Sequence, residues 1–254
     1  VLIGAAVLPA APVLLPQVSQ GAAPELEQCR RAVHAALTDL LGPPVDRVVV
    51  VGAGAATRRV GASAQGSLHG IGVDLTVGWG DVEPPADGTA SSGLPRSMVL
   101  AAWALTEAGW TGATCGVEVA VDEDPQVCLG LGAGLADEPG QVALVLAADG
   151  TARRGTAAPG YTDERSQPFD EQWTQALARV DAQALAGLDP HLAAELMMEG
   201  RAPLQVLAGA VLASAGAGWQ ARTWWEGDPY GVAYAVASWR LPASADPGDV
   251  VRDR

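Results

Sequence analysis

Asp46-Arg47-Val48-Val49-Val50-Val51-Gly52-Ala53-Gly54 is the stretch whose reading decides the fold class. The β-branched run Val48–Val51 is the clearest strand signal in the chain, and Gly52-Ala53-Gly54 reads as the turn that ends it. Upstream, Leu26, Cys29, Val33, Leu37 and Leu40 recur at helical spacing. Pro24, Glu25 and Glu27 suit the first turn of that helix, and Gly42-Pro43-Pro44 stops it. Before it, the apolar run Val1–Leu8 predicts a buried strand followed by a Pro-rich loop. Downstream, residues 57–92 read as a long loop holding one short strand, Val73–Val77. Helices are predicted over Pro95–Ala108 and Asp124–Ala136, and strands over Thr111–Ala120 and Val142–Ala147. A turn-rich loop spans Asp149–Pro168. Helical segments at 169–178, 181–187, 190–198 and 202–214 follow, and after a Gly216–Gly218 break come strands Gln220–Trp225 and Val232–Trp239. Strands alternating with helices make the class α/β. The late helical cluster followed by terminal strands argues for a mixed central sheet flanked by helices in a single domain, 1–241, with a polar tail over 242–254.

Composition narrows the chemistry. The 254 residues carry a formal charge of −14, and all 15 basic residues are Arg. Without Lys there is no Schiff-base chemistry and no phosphate-loop lysine. A chain this acidic lacks the electrostatic footprint of a nucleic-acid binder. Hydrophobic residues make up 49% of the chain while aromatics make up 5%, so the core is built mainly from Ala, Val and Leu. Cys29, Cys115 and Cys128 match neither a disulfide framework nor a zinc spacing and read as buried free thiols. The apolar N-terminal run lacks a basic flank and is broken by Pro9, Pro12 and Pro16. It therefore reads as neither a signal nor a membrane span, and a cytoplasmic location is expected.

Few motifs stand alone. Gly52-Ala53-Gly54 has Thr57 where a dinucleotide loop would need its third glycine. No Gly-x-Ser-x-Gly elbow occurs. His34 lies on the flank of an amphipathic helix, His69 in a Gly-rich loop and His191 at a helix start, with no second His nearby. Asp149, Arg153 and Arg154 follow the Val142–Ala147 strand, a position where α/β proteins place functional groups. Trp224-Trp225-Glu226-Gly227-Asp228-Pro229-Tyr230 concentrates rings and acids that could line a pocket or pack a strand end.

Several segments together resemble one family. They are Gly4–Pro9 with Pro12–Pro16, Asp46–Gly52, Asp149–Arg154, Ala158–Tyr161, Pro168–Asp170, Gly200–Leu207 and Pro229–Tyr234. In order and spacing they resemble the actinobacterial branch of the class III extradiol ring-cleavage dioxygenase-like superfamily, which also contains the Memo-like proteins. The resemblance implies an α/β fold around a mixed sheet with a site at one end. In active members two His and a carboxylate hold a non-haem Fe(II), and a further His serves as acid/base in opening a catecholic ring with dioxygen. This chain departs at each matched place. The first His position is Ala10, the second falls at Gly54-Ala55-Ala56, the acid/base His falls near Ala152, and only Glu226 or Asp228 can still offer the carboxylate.

The resemblance therefore implies the family fold without its usual Fe(II) site. The chain is expected to be a small-molecule-binding or interaction protein, or a metal-independent enzyme. Its pocket is expected from Pro9–Pro12, Gly52–Ala56, Asp149–Arg154 and Trp224–Tyr230, taking a small aromatic or anionic ligand. Ala10, Ala55, Ala152, Arg153, Glu226 and Asp228 would line it, with an Asp or Glu (Asp149, Glu226 or Asp228) as base, Arg154 as anion clamp and Tyr230 as donor. No cofactor or metal is expected on this reading. One alternative is a working Fe(II) dioxygenase with atypical ligands, such as His69 with Glu226 or Asp228. Another is a non-catalytic structural subunit, and a homo-oligomer is compatible with any of these.

Overall fold

A computed structural model describes residues 1–19, 24–79, 93–214 and 218–242. The chain enters with β1 (Leu2–Leu8), a short α1 (Pro16–Ser19) and α2 (Glu27–Leu41), then forms β2 (Arg47–Gly54). Three short strands follow, β3 (Arg58–Val60), β4 (Gln65–Ser67) and β5 (Thr76–Gly78). Next come α3 (Arg96–Glu107), β6 (Ala113–Ala120), α4 (Pro125–Ala136) and β7 (Val142–Ala147). Helices α5 (Ser166–Arg179), α6 (Ala182–Ala186), α7 (Pro190–Glu195) and α8 (Arg201–Ala213) precede β8 (Gln220–Gly227) and β9 (Tyr234–Arg240). Seven strands make one sheet in the order β3-β6-β2-β7-β1-β9-β8, and β4 and β5 pair separately. β6, β2, β7 and β1 run parallel, whereas β3 at one edge and β9 and β8 at the other are antiparallel to their neighbours. The expected mixed α/β sheet flanked by helices is thus present. β1 near one end of the described chain pairs with β9 near the other.

The period of two along the central strands sorts the core into two layers. Val49, Val51, Leu144 and Leu146 face the layer formed by α4 to α8. Val48, Val50, Ala143 and Val145 face α2 and α3. Burial on both faces explains why these strands read as continuous apolar runs rather than alternating ones. On the first face α4 and α8 approach closely. A Cβ on Gly132 would overlap the Val206 carbonyl, and one on Gly209 would overlap the Leu129 carbonyl.

Two local readings are corrected. Gly52-Ala53-Gly54 is not a turn, because β2 runs on through Gly54 in register with Ala120. The glycines serve close approach: a Cβ on Gly52 would stand 2.6 Å from Ser97 Oγ, and one on Gly54 would overlap the Glu118 carboxylate. The 57–92 segment holds more than one strand. β3 extends the main sheet, and the strand expected at Val73–Val77 lies at Thr76–Gly78, paired to β4. These strands are three residues long and polar, too short for periodicity to reveal. α5 also starts at Ser166, ahead of the expected Phe169. The remainder of the 57–92 stretch, from residue 80, and the 243–254 part of the polar tail lie outside the described residues. All three cysteines are free, Cys29 and Cys128 buried and Cys115 half-buried. Among the described residues no helix is long and apolar enough to cross a membrane.

Candidate functional site

The four parallel strands end on one side of the sheet. The segments Pro9–Ala11, Ala55–Thr57, Val121–Asp124 and Asp149–Arg154 therefore emerge together, where open α/β sheets place ligands. Antiparallel β9 begins on the same side, and Ala233 just before it bonds Gly150 and Thr151, the two residues after Asp149. Gly150 N–H donates to Ala233 O at 2.7 Å, and Ala233 N–H donates to Thr151 O at 2.9 Å.

Asp149 is the centre of this end. The Ala10 N–H donates to its Oδ1 at 2.7 Å, and its own carbonyl accepts from Gly200 N–H at 3.1 Å. Burial pushes its carboxyl up to about 7. The Ala10 amide opposes that rise, the Glu199 charge adds to it and Arg96 offsets it. Two buried groups lie near enough to feel its charge. Burial pushes the Cys29 thiol up to about 12, with Asp149 contributing, and raises the Tyr234 phenol in the same way. At neutral pH the centre therefore combines a carboxyl able to give or take a proton with a thiol and a phenol that keep theirs.

A second carboxylate stands beside it in a different setting. Asp170 Oδ1 accepts from Thr151 N–H and Trp173 Nε1, both at 2.9 Å, and Oδ2 accepts from Thr151 Oγ1 at 2.6 Å. Arg154 Nη1 lies 3.6 Å from Oδ2, while Arg154 Nε lies 2.9 Å from Asp228 Oδ2. Burial still raises the Asp170 carboxyl against all these donors. Arg154, Asp170, Glu226, Asp228 and Tyr234 line a cavity of about 220 Å³.

The expected site residues thus divide. Ala10 joins Asp149, while Arg154, Glu226 and Asp228 share the 220 Å³ cavity. Arg154 is not a free anion clamp, since its guanidinium is already engaged by Asp228 and Asp170. Arg153 leaves this group: its charge acts on Asp163 and its Nε has no hydrogen-bond partner among the described residues. Ala152 uses its N–H on Leu196 O and its carbonyl on Gly160 N–H. Tyr230 donates its hydroxyl to Glu25 at 2.8 Å rather than to the Asp149 centre. Ala55 N–H donates to Glu118 Oε1 at 3.0 Å, and Arg58 Nη2 stands 2.6 Å from Glu118 Oε2. The three alanines therefore belong to three separate bonding arrangements.

The residues present do not fit a His-and-carboxylate Fe(II) centre. The alanine methyl groups have no lone pair. Beside Asp149 the neighbouring groups are a thiol and a phenol rather than imidazoles, so the His donors that such a centre needs are not supplied there. Among the described residues no group of three or more His, Cys, Asp and Glu side chains is placed to share a metal ion. The pairing of His69 with Glu226 or Asp228 is not formed. His69 Nε2 lies 2.7 Å from Asp74 Oδ1 between β4 and β5, whereas Glu226 and Asp228 stand at the β8 edge of the main sheet. His34 accepts contact from Thr38 on α2, and His191 sits in the first turn of α7.

Sequence reasoning missed Asp170, Tyr234, Cys29 and Glu118 as neighbours of the site. Asp170 and Trp173, three apart on one helix, carried a usable signal, because a buried indole N–H needs an acceptor. Glu118 carried another: a charged residue inside an otherwise apolar strand must be paired.

No protein-family model and no curated protein matches the chain. Among solved structures it is similar to the uncharacterized protein JW3007 from Escherichia coli K12, at 15% sequence identity and a TM-score of 0.52. The match covers 94% of this chain and 99% of that one. At that identity the likeness concerns the fold alone.

Proposed function

We propose that this chain is a class III extradiol dioxygenase-like protein that works without the family's Fe(II) centre, binding a small aromatic compound at the Asp149 end of the sheet. One observation carries the reading. The turn after β1, where the family resemblance expects an imidazole, presents the Ala10 N–H to Asp149 instead. A hydroxylated ring suits the surroundings, since a phenolic O–H can share its proton with a carboxyl poised near 7. The carboxyl could equally move a proton on a bound substrate, which keeps a metal-independent acid/base enzyme as the second reading.

Calorimetric titration of the intact chain with catechol, with and without added Fe(II) under anaerobic conditions, tests the proposal. The expected result is saturable binding that is independent of iron and weakened by Asp149→Asn. Iron-dependent ring opening on admission of oxygen, or catechol binding only with iron, would overturn it. Slow iron-free conversion of a bound phenol, lost in Asp149→Asn, would favour the second reading.

A further inference from the structure

The opposite end of the sheet, where the parallel strands begin, carries two adjoining cavities. One, of about 580 Å³, runs between the start of β1 and the end of α2, with walls from Ile3, Leu40, Pro43 and Pro44. No carboxylate lines it, although the chain has 29 acids, and its one charged side chain is Arg240. The second, of about 390 Å³, lies over the β8 edge and is lined by Asp39, Gln220, Arg222 and Ser238. Arg240, Leu241 and Pro242 line both cavities.

The second cavity is where cations outnumber acids. Gln220 pairs with Arg240 and Arg222 with Ser238 across β8 and β9. Side chains two apart on a strand share a face, so Arg222 and Arg240 are diagonal neighbours on one side of the sheet. Arg240 Nη1 donates to Asp39 O at 2.8 Å and stands 3.2 Å from Asp39 Oδ1. The side chain remains 31% exposed, and its Nε and Nη2 have no hydrogen-bond partner among the described residues. Arg222 is exposed, and none of the ion pairs among the described residues includes it. Its Cζ lies 3.7 Å from the centroid of the Trp224 ring, which is itself fixed by the Trp224 Nε1 bond to Ser238 Oγ at 2.9 Å. Stacking on a ring face leaves the N–H edge of a guanidinium open to an acceptor. Two guanidiniums against one Asp39 carboxylate leave one positive charge, which suits a monoanion.

We propose that these cavities bind a linear alkyl carboxylate, its head between Arg222 and Arg240 and its chain passing Leu241 to lie against Ile3, Pro43 and Pro44. The carboxylate accepts from both guanidiniums, and the chain removes apolar wall from water. The site stands at the far end of the sheet from Asp149 and does not depend on the function proposed there.

Calorimetry of the intact chain with octanoate, acetate, 1-octanol and octyl phosphate separates head from tail. Octanoate is expected to bind saturably, one per chain. Acetate lacks the chain and 1-octanol the charge, and each is expected to bind at least about tenfold more weakly. Octyl phosphate, with its greater charge beside Asp39, is expected to bind more weakly than octanoate. Arg222→Gln is expected to weaken octanoate by about tenfold while 1-octanol treats variant and parent alike. Arg222 is exposed on an edge strand, so this variant keeps the test valid where Arg240→Gln fails to fold. No saturable heat with millimolar octanoate would overturn the proposal. So would acetate or 1-octanol matching octanoate, octyl phosphate binding more tightly than octanoate, or Arg222→Gln leaving octanoate binding unchanged.

Discussion

Asp149 and Asp170 lie on either side of the same turn and are satisfied in opposite ways. Asp170 accepts from the Thr151 amide, the Thr151 hydroxyl and the Trp173 indole, and has the Arg154 guanidinium beside it. Asp149 accepts from the Ala10 amide alone and has no ion-pair partner among the described residues. A buried carboxylate with its lone pairs filled is a structural anchor. A half-buried one with spare acceptor capacity at a sheet end is able to meet a ligand.

The largest expected effect breaks the anchor. Asp170→Ala strands three buried donors and removes the inner partner of Arg154, and should cost about 3–5 kcal/mol in urea denaturation. A loss no larger than that of Asp149→Ala would erase the distinction. Next comes the pH dependence of Asp149. Its carboxyl is raised from 3.8 to about 7 in the fold, so the native state holds the proton more tightly than the unfolded chain. The stabilisation this supplies is complete below pH 3.8 and is lost as pH rises through 7, by on the order of 4 kcal/mol. Asp149→Asn should remove that part of the decline, leaving the variant more stable than the parent at about pH 8. Parallel stability curves for the two proteins would refute it.

Gly150 connects the two carboxylates. A Cβ there would stand 2.6 Å from Asp170 Oδ1 and 2.8 Å from both Ala233 and Trp173. Gly150→Ala should cost about 1–3 kcal/mol through overpacking on the Asp170 side, measured by thermal or urea unfolding. The smallest effect belongs to Arg154, whose side chain is a quarter exposed. Solvent screens its pairs, so Arg154→Gln should cost about 1 kcal/mol or less, and less at high salt, while shifting the Asp170 carboxyl further upward.

Legibility followed the same division. Val48–Val51, Val142–Ala147 and the 26–40 helix were readable because periodicity and β-branching act over consecutive residues. Asp149 was readable as a site residue because it directly follows a strong strand. Its partner Ala10 is 139 positions away, joined only through the pairing of β1 with β7. Tyr230 was read as a donor from its neighbours in sequence, yet Glu25, 205 positions away, takes its hydroxyl. Arg153 and Arg154 are adjacent in the chain, and the turn sends them to different groups of partners.

The sequence by itself determined the α/β class, the buried central strands and the scarcity of imidazole, because each depends on local pattern or on simple counting. Only the tertiary structure decided the strand order, which alanine amide meets which carboxylate, and that Arg201 lies buried against the carbonyls of Val121 and Glu123. Those facts depend on contacts between distant segments, whose energies are set by burial and geometry that no local window of residues contains.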